Sequence, residues 1–127
     1  MSNFLLDTHA LIWFSEDDPS IPISVKEQIE AAEHVYVSIA SLWEIAIKLS
    51  IGKLPLQASY ENLESQLSAT GLTILPITFV DTVQVRHLPL HHRDPFDRIL
   101  VAQAINHRLT IVSRDQQLDA YPIQRSW

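Results

Sequence analysis

The chain has 127 residues, 46% of them hydrophobic, with nine basic and fifteen acidic side chains and a net charge of −6. That length supports one domain, residues 1–127, with a sizeable core. The absence of cysteine excludes disulfides, thiolate metal sites and cysteine nucleophiles, and the acidic balance argues against a protein that coats nucleic acid, which carries a basic footprint. An enzyme that meets nucleic acid through bound cations remains open. The opening MSNFLLDTHALIWF has no basic leader and carries an Asp inside its apolar run, so no signal peptide is expected. No apolar stretch reaches the roughly 20 residues of a membrane span, and a soluble cytoplasmic protein is expected.

In chain order, Phe4 to Leu6 reads as a short strand ending at Asp7, and His9 to Phe14 as a turn or two of helix. Ser24 to Glu33 is a helix with Val25, Ile29 and Ala32 on one side, closely preceded by Pro22. Val35 to Val37 is a second strand. Ser41 to Leu49 repeats apolar residues at Leu42, Ile45, Ala46 and Leu49, the spacing of one helix face, and Gly52 ends it. Tyr60 to Thr70 is a more polar helix stopped by Gly71. Leu72 to Leu75 is a third strand, Phe79 to His87 a helix, and Pro95 to His107 another, opened by Asp94-Pro95. Thr110 to Val112 is a fourth strand, Asp115 to Ala120 a short helical turn, and Ile123 a short fifth strand. Short strands separated by helices predict an α/β fold with a parallel sheet and right-handed crossovers. Ligands in such folds bind outside the carboxyl ends of the strands.

Four acids fall at that edge or lead to it: Asp7 after the first strand, Glu44 in the helix after the second, Asp97 at the head of the helix before the fourth, and Asp115 just beyond the fourth. Each except Asp97 has an ordinary alternative. Asp7 and Asp115 suit helix or turn caps, and Asp94 suits an N-cap. Ser41-Leu-Trp-Glu44 matches a capping box, and Glu44 with Lys48 an i, i+4 pair. Asp97 instead heads the stripe Leu100, Val101 and Ala104, where a carboxylate costs free energy unless something pairs with it. His91, His92 and Asp94 could suggest zinc, but no second group follows at ligand spacing. The six histidines read as surface or supporting groups. Ser113 lacks the partners of a hydrolase triad, and two glycines cannot build a phosphate loop. Clustered carboxylates call for a cation. Oxygen ligands with open positions suit Mg²⁺ or Mn²⁺, and such ions activate water against a phosphodiester.

The segments "LLDTHALIW" at 5–13, "SLWEIAIKLSIGKL" at 41–54, "DPFDRILVAQA" at 94–104 and "LTIVSRD" at 109–115, in this order and spacing, resemble PIN-domain ribonucleases, specifically the VapC toxins of type II toxin–antitoxin modules. The resemblance implies a three-layer α/β/α domain with a five-stranded parallel sheet. It implies Mg²⁺ or Mn²⁺ as cofactor, RNA cleavage leaving a 5′-phosphate, a homodimer, and a cognate antitoxin whose tail covers the groove. By it, Asp7, Glu44, Asp97 and Asp115 correspond to a catalytic and metal-binding quartet, Thr8 and Ser113 to supporting hydroxyls, and Asp94 to a supporting acid found in a subgroup. The competing expectation is a non-catalytic PIN-like protein-binding module. A phosphoryl-transfer protein with a nucleophilic Asp would need a well-placed Lys, and Lys26, Lys48 and Lys53 lie on helices or at their ends.

Overall fold

The structure is a computed structural model that describes residues 2–127. In chain order it contains β1 (Asn3–Leu6), α1 (Thr8–Ser15), α2 (Ile23–Ala31), β2 (His34–Ser38), α3 (Ile39–Ser50), α4 (Leu63–Ala69), β3 (Leu72–Leu75), α5 (Phe79–His87), α6 (Pro95–His107), β4 (Thr110–Val112) and β5 (Arg125–Ser126). A 3₁₀ turn, Tyr60–Asn62, precedes α4, and another, Gln116–Ala120, separates β4 from β5. The five strands form one sheet in the order β3-β2-β1-β4-β5, and every pairing is parallel. This is the expected α/β/α architecture.

Alternation along the strands explains the two helical layers. Leu6, Val37 and Val112 face one side of the sheet, where they meet Ala10 and Leu11 of α1, Val25 and Ile29 of α2, Leu42 and Ile45 of α3, and Leu63 and Leu67 of α4. Leu5, Tyr36 and Ile111 face the other side and meet Leu100, Val101 and Ala104 of α6 with Leu118 and Tyr121. Leu5 lies opposite both Tyr36 and Ile111, and Leu6 opposite Val37 and Val112, so one register serves both cores. A sheet covered on both faces needs strands with near-continuous apolar runs, which is why Phe4-Leu5-Leu6 ends β1 and Ile111-Val112 ends β4. From β1 the chain moves through β2 to β3, then returns past β1 to β4. Crossovers of constant hand that reverse direction must change face, and α5 and α6 accordingly lie opposite α1 to α4.

Several boundaries differ from the sequence expectation. The helix expected from Ser41 begins at Ile39, because Ser38 at the end of β2 accepts from Ala40 N–H at 3.0 Å and caps it. Ser41 is therefore inside the first turn, its hydroxyl buried without a partner, and the Ser41–Glu44 capping box does not form. The polar helix expected from Tyr60 starts as a 3₁₀ turn, with the Tyr60 hydroxyl tied to Leu42 O at 3.0 Å. The fifth strand lies at Arg125–Ser126, since sheet pairing begins only where Ile111 N–H reaches Gln124 O at 2.9 Å; Ile123 packs into the core instead. Gly52 and Gly71 follow their helices at φ 70° and 82°, as expected of glycine there. Helix α6 ends on Arg108 in the same left-handed region, at φ 56°.

One polar knot joins α5 to α6. Asp81 is 1% exposed and completes a capping box with Thr78. Its carboxylate accepts from Thr78 N–H at 2.9 Å, Asn106 Nδ2 at 2.9 Å and Gln103 Nε2 at 3.4 Å. Burial opposes its charge, yet these donors hold its carboxyl below the ordinary value of 3.8. With the folded value below the unfolded one, its contribution is complete above pH about 4 and is lost as pH falls through the folded value. Asp81→Ala strips a charged acceptor from buried donors and should cost about 3 kcal/mol. Urea unfolding at neutral pH measures the loss, and the difference between variant and wild type should shrink below pH about 4.

Candidate active site

The switch of direction between β1 and β4 leaves a crevice at their carboxyl ends, the position where open parallel sheets bind ligands. A cleft of about 370 Å³ opens there, lined by Asp7, Thr8, Glu44, Asp94, Asp97 and Asp115 together with His9, Trp13, Lys48 and Arg114. All four acids of the expected quartet reach it, from four separate elements.

Asp7 leaves β1 and caps α1, accepting from Ala10 N–H at 2.8 Å. It is 7% exposed. Burial pushes its carboxyl up from 3.8, the Ser113 hydroxyl and the Ala10 N–H work against that rise, and Asp115 adds to it. Ser113 Oγ also accepts the Asp115 N–H at 3.0 Å, so one buried hydroxyl serves two acids. Asp115 caps the following 3₁₀ turn through Gln117 N–H at 3.0 Å. Glu44, 7% exposed, is gripped on both oxygens: Thr8 Oγ1 donates to Oε1 at 2.6 Å, and Lys48 Nζ lies 3.0 Å from Oε2. The expected Glu44–Lys48 pair is thus present, at the edge of the cleft instead of on an open polar face.

The α6 acids divide as their positions suggest. Asp94 caps the helix, accepting from Phe96 N–H at 2.8 Å and Asp97 N–H at 3.4 Å. Asp97, three residues on, turns into the cleft. Burial, then the neighbouring Asp94, raise its carboxyl from 3.8 to about 7; His92 opposes this, and Asp7 and Glu44 add to it. Trp43 of α3 meets Phe96 edge-on, ring centres 5.3 Å apart, which fixes the helix carrying Glu44 against the one carrying Asp97.

Of the histidines expected as surface or supporting groups, His92 is a supporting one and lies between two acids. Its Nε2 lies 2.9 Å from Asp115 Oδ2 and 3.3 Å from Asp97 Oδ2. Asp94 N–H donates to its Nδ1 at 3.2 Å, so the neutral ring carries its proton on Nε2 and points it at the carboxylates. Its backbone is held in turn. His92 N–H donates to the Tyr121 hydroxyl at 2.9 Å, and Tyr121 donates to Pro89 O at 3.0 Å. Arg98 sends its guanidinium to Val85, Leu88, Pro89 and His92 carbonyls and to Tyr121, at 3.1 to 3.4 Å. The signal for this knot was present in "HHRDPFDR", but its meaning depends on Tyr121, distant in sequence.

Among the described residues, His92, Asp97 and Asp115 each offer one ligand atom within 4.8 Å of the others. With Asp7 beside them, the cleft offers carboxylate oxygens and no thiolate, which suits a hard divalent cation, while the His92 Nε2–H faces the carboxylates as a donor. Burial is the main cause of the raised Asp97 value, and the neighbouring acids add the part that a bound cation would balance. No helix of the described residues is long and apolar enough to cross a membrane.

This sheet order, with carboxylates gathered at its carboxyl edge, defines a class of parallel α/β protein built around an acidic crevice. The chain belongs to the PIN domain family, whose model matches residues 4–124. It is 27% identical to "Ribonuclease VapC22" of Mycobacterium tuberculosis, covering 95% of this chain and 93% of that one. VapBC2 from Rickettsia felis, solved bound to a DNA fragment from its promoter, shares the fold with a TM-score of 0.72 at 16% identity, over 98% of this chain and 97% of that one. A toxin–antitoxin complex from Klebsiella pneumoniae does so with a TM-score of 0.63 at 17% identity, over 97% and 95%.

The raised Asp97 value has a stability consequence. A carboxyl whose folded value exceeds its unfolded one stabilises the fold fully below the unfolded value and loses that contribution as pH rises through about 7. In EDTA, the melting temperature of the wild type should therefore fall between pH 5 and 8. Asp97→Asn should flatten that slope, as differential scanning fluorimetry across the range would register.

Proposed function

We propose that this chain is a divalent-metal-dependent endoribonuclease, the toxin half of a type II toxin–antitoxin pair, acting as one PIN unit and as a homodimer in the cytoplasm. The observation that carries this is the meeting of Asp7, Glu44, Asp97 and Asp115 in one cleft, with Asp97 pushed up to about 7. Family membership and the relative named a ribonuclease support it. The fold neighbour solved as a toxin–antitoxin complex supports the partner.

In this proposal Asp7, Asp97 and Asp115, with Glu44, hold Mg²⁺ or Mn²⁺. When bound, the ion supplies a water of lowered pKa and charge stabilisation for in-line attack on an RNA phosphodiester. The protein's own part is preorganisation. Thr8 and Lys48 hold Glu44 in one position at the cleft, so its carboxylate would meet the ion without a conformational search. Ser113 fixes the spacing of Asp7 and Asp115. His92 Nε2–H draws Asp97 and Asp115 together. Asp94 holds the first turn of α6, and so the place of Asp97.

RNA cleavage should stop in EDTA and return with excess Mn²⁺ or Mg²⁺; cleavage at full rate in excess EDTA would overturn the metal mechanism. Asp97→Asn should lower the rate by orders of magnitude. Asp94→Asn should keep both cap and activity, since Asn caps as well as Asp, whereas Asp94→Ala should cost about 0.5–2 kcal/mol. An intact cap with a dead Asp94→Asn would reverse the two assignments. Wild-type protein that cuts no RNA with either ion, yet binds its partner, is a non-catalytic PIN-like module.

The acidic cleft also defines the partner's chemistry. An antitoxin segment carrying Arg would neutralise the same carboxylates and exclude cation and RNA together. Co-expression with such a partner from the neighbouring reading frame should relieve growth inhibition. A neighbour that neither binds nor protects removes the toxin–antitoxin assignment and leaves the nuclease one standing.

A further inference from the structure

We infer that His9, Trp13 and Arg114 form a nucleobase-stacking subsite for single-stranded RNA on the wall of the acidic cleft. This rests on the proposed nuclease activity and specifies how its substrate is held. All three residues line the cleft that the acids line. The His9 imidazole stacks on the Trp13 indole with ring centres 5.4 Å apart and planes 22° from parallel. The Arg114 guanidinium lies over the same indole, 5.0 Å from its centre. Trp127 braces Trp13 from the side, with centres 5.8 Å apart and planes tilted by 57°.

An aromatic cluster is more often core than site. Two features separate this one from core. His9 and Arg114 are exposed, while Trp13 beneath them is anchored against the apolar layer on that face of the sheet. Among the described residues, Arg114 makes no ion pair and no hydrogen bond, although Asp115 adjoins it. A planar cation without a carboxylate, laid beside an exposed flat ring, is the pairing that recognises an unstacked base and its phosphate.

Placement adds to this. His9 stands two residues after Asp7, and Arg114 immediately before Asp115. The two turns that deliver acids to the cleft therefore also deliver the platform. A strand whose backbone crosses the acids can set one base on the imidazole without spanning further. The base must be free of a helix, because duplex bases are already stacked on both faces. Stacking accepts any base, so the subsite supplies affinity and register without sequence identity.

The test pairs binding with kinetics on a short single-stranded oligoribonucleotide. Binding is read by fluorescence anisotropy in EDTA, where cleavage is off, and KM and kcat are read in Mn²⁺. His9→Ala should weaken binding and raise KM by about tenfold with kcat within about twofold. His9→Phe, which keeps a flat ring, should restore both. Arg114→Ala should reduce the slope of log affinity against log salt by about one. An oligomer with an abasic position at the cleavage site should no longer distinguish His9→Ala from wild type. If RNA is cut but His9→Ala and His9→Phe both match wild type, the subsite falls and the nuclease stands. If no RNA is cut but binding still depends on the ring at position 9, the nuclease reading falls and the subsite stands. If His9→Ala weakens only an Arg-bearing partner peptide and leaves RNA binding unchanged, the wall is a peptide subsite and the proposal is overturned.

Discussion

Five carboxylates, Asp7, Glu44, Asp94, Asp97 and Asp115, share one small cleft, and their mutual repulsion is the constraint around which the rest of the structure is arranged. The fold offsets it with local donors. Asp7, Asp94 and Asp115 each sit at the N-terminus of a helix or 3₁₀ turn and accept its free backbone N–H groups. Glu44 has no helix end, and Thr8 with Lys48 takes that part. Asp97 is left over. Its close side-chain partner among the described residues is His92, 3.3 Å away. Burial first, and the neighbouring acids after it, raise its carboxyl to about 7.

That arrangement depends on packing well outside the cleft. Leu5 and Leu6, adjacent in sequence, point into opposite cores and fix the end of β1 from both sides, and Asp7 follows directly. Ile111 and Val112 do the same for β4 and the Ser113–Asp115 turn. The α6 acids depend on a longer chain of contacts. Arg98 binds carbonyls of the segment that joins α5 to α6, Tyr121 closes it, and His92 is delivered to the acids as a result. Residues that never meet the cleft thus set the distances within it.

What could be read from the sequence was whatever is encoded locally. Helices α5 and α6 and strand β4 have the expected bounds, because Asp94-Pro95 and the short apolar runs carry their own signals. Asp97 stood out because a carboxylate heading an apolar stripe has no local explanation, and its cause is tertiary. The misreadings have the same root. Ser41 and Glu44 have capping-box spacing, yet Ser38 caps first, since β2 ends there and the chain turns at once. The fifth strand depends on where Gln124 meets β4, which no local pattern marks. The place of His92 among the supporting groups of the acids is not settled by any local signal either. Its partners are Asp115 and Tyr121, 23 and 29 residues away.

Net charge was the least informative of the sequence features, for a physical reason. A balance of −6 describes the field at a distance, but at physiological ionic strength charges more than about 8 Å apart are largely screened from one another. A nucleic-acid strand at the cleft would instead meet the local pattern: carboxylates on the floor, with Lys48 and Arg114 at the sides. On the proposed reading, a divalent ion converts the floor from repulsive to attractive, and Arg114, which no carboxylate pairs among the described residues, faces phosphates beyond it. Affinity for RNA would then rise with metal occupancy, on top of the contribution of the stacking wall. The resting cleft would favour a cationic peptide over RNA, because the peptide can neutralise the carboxylates without a metal ion. The same carboxylates would thus serve catalysis with the ion and inhibition without it.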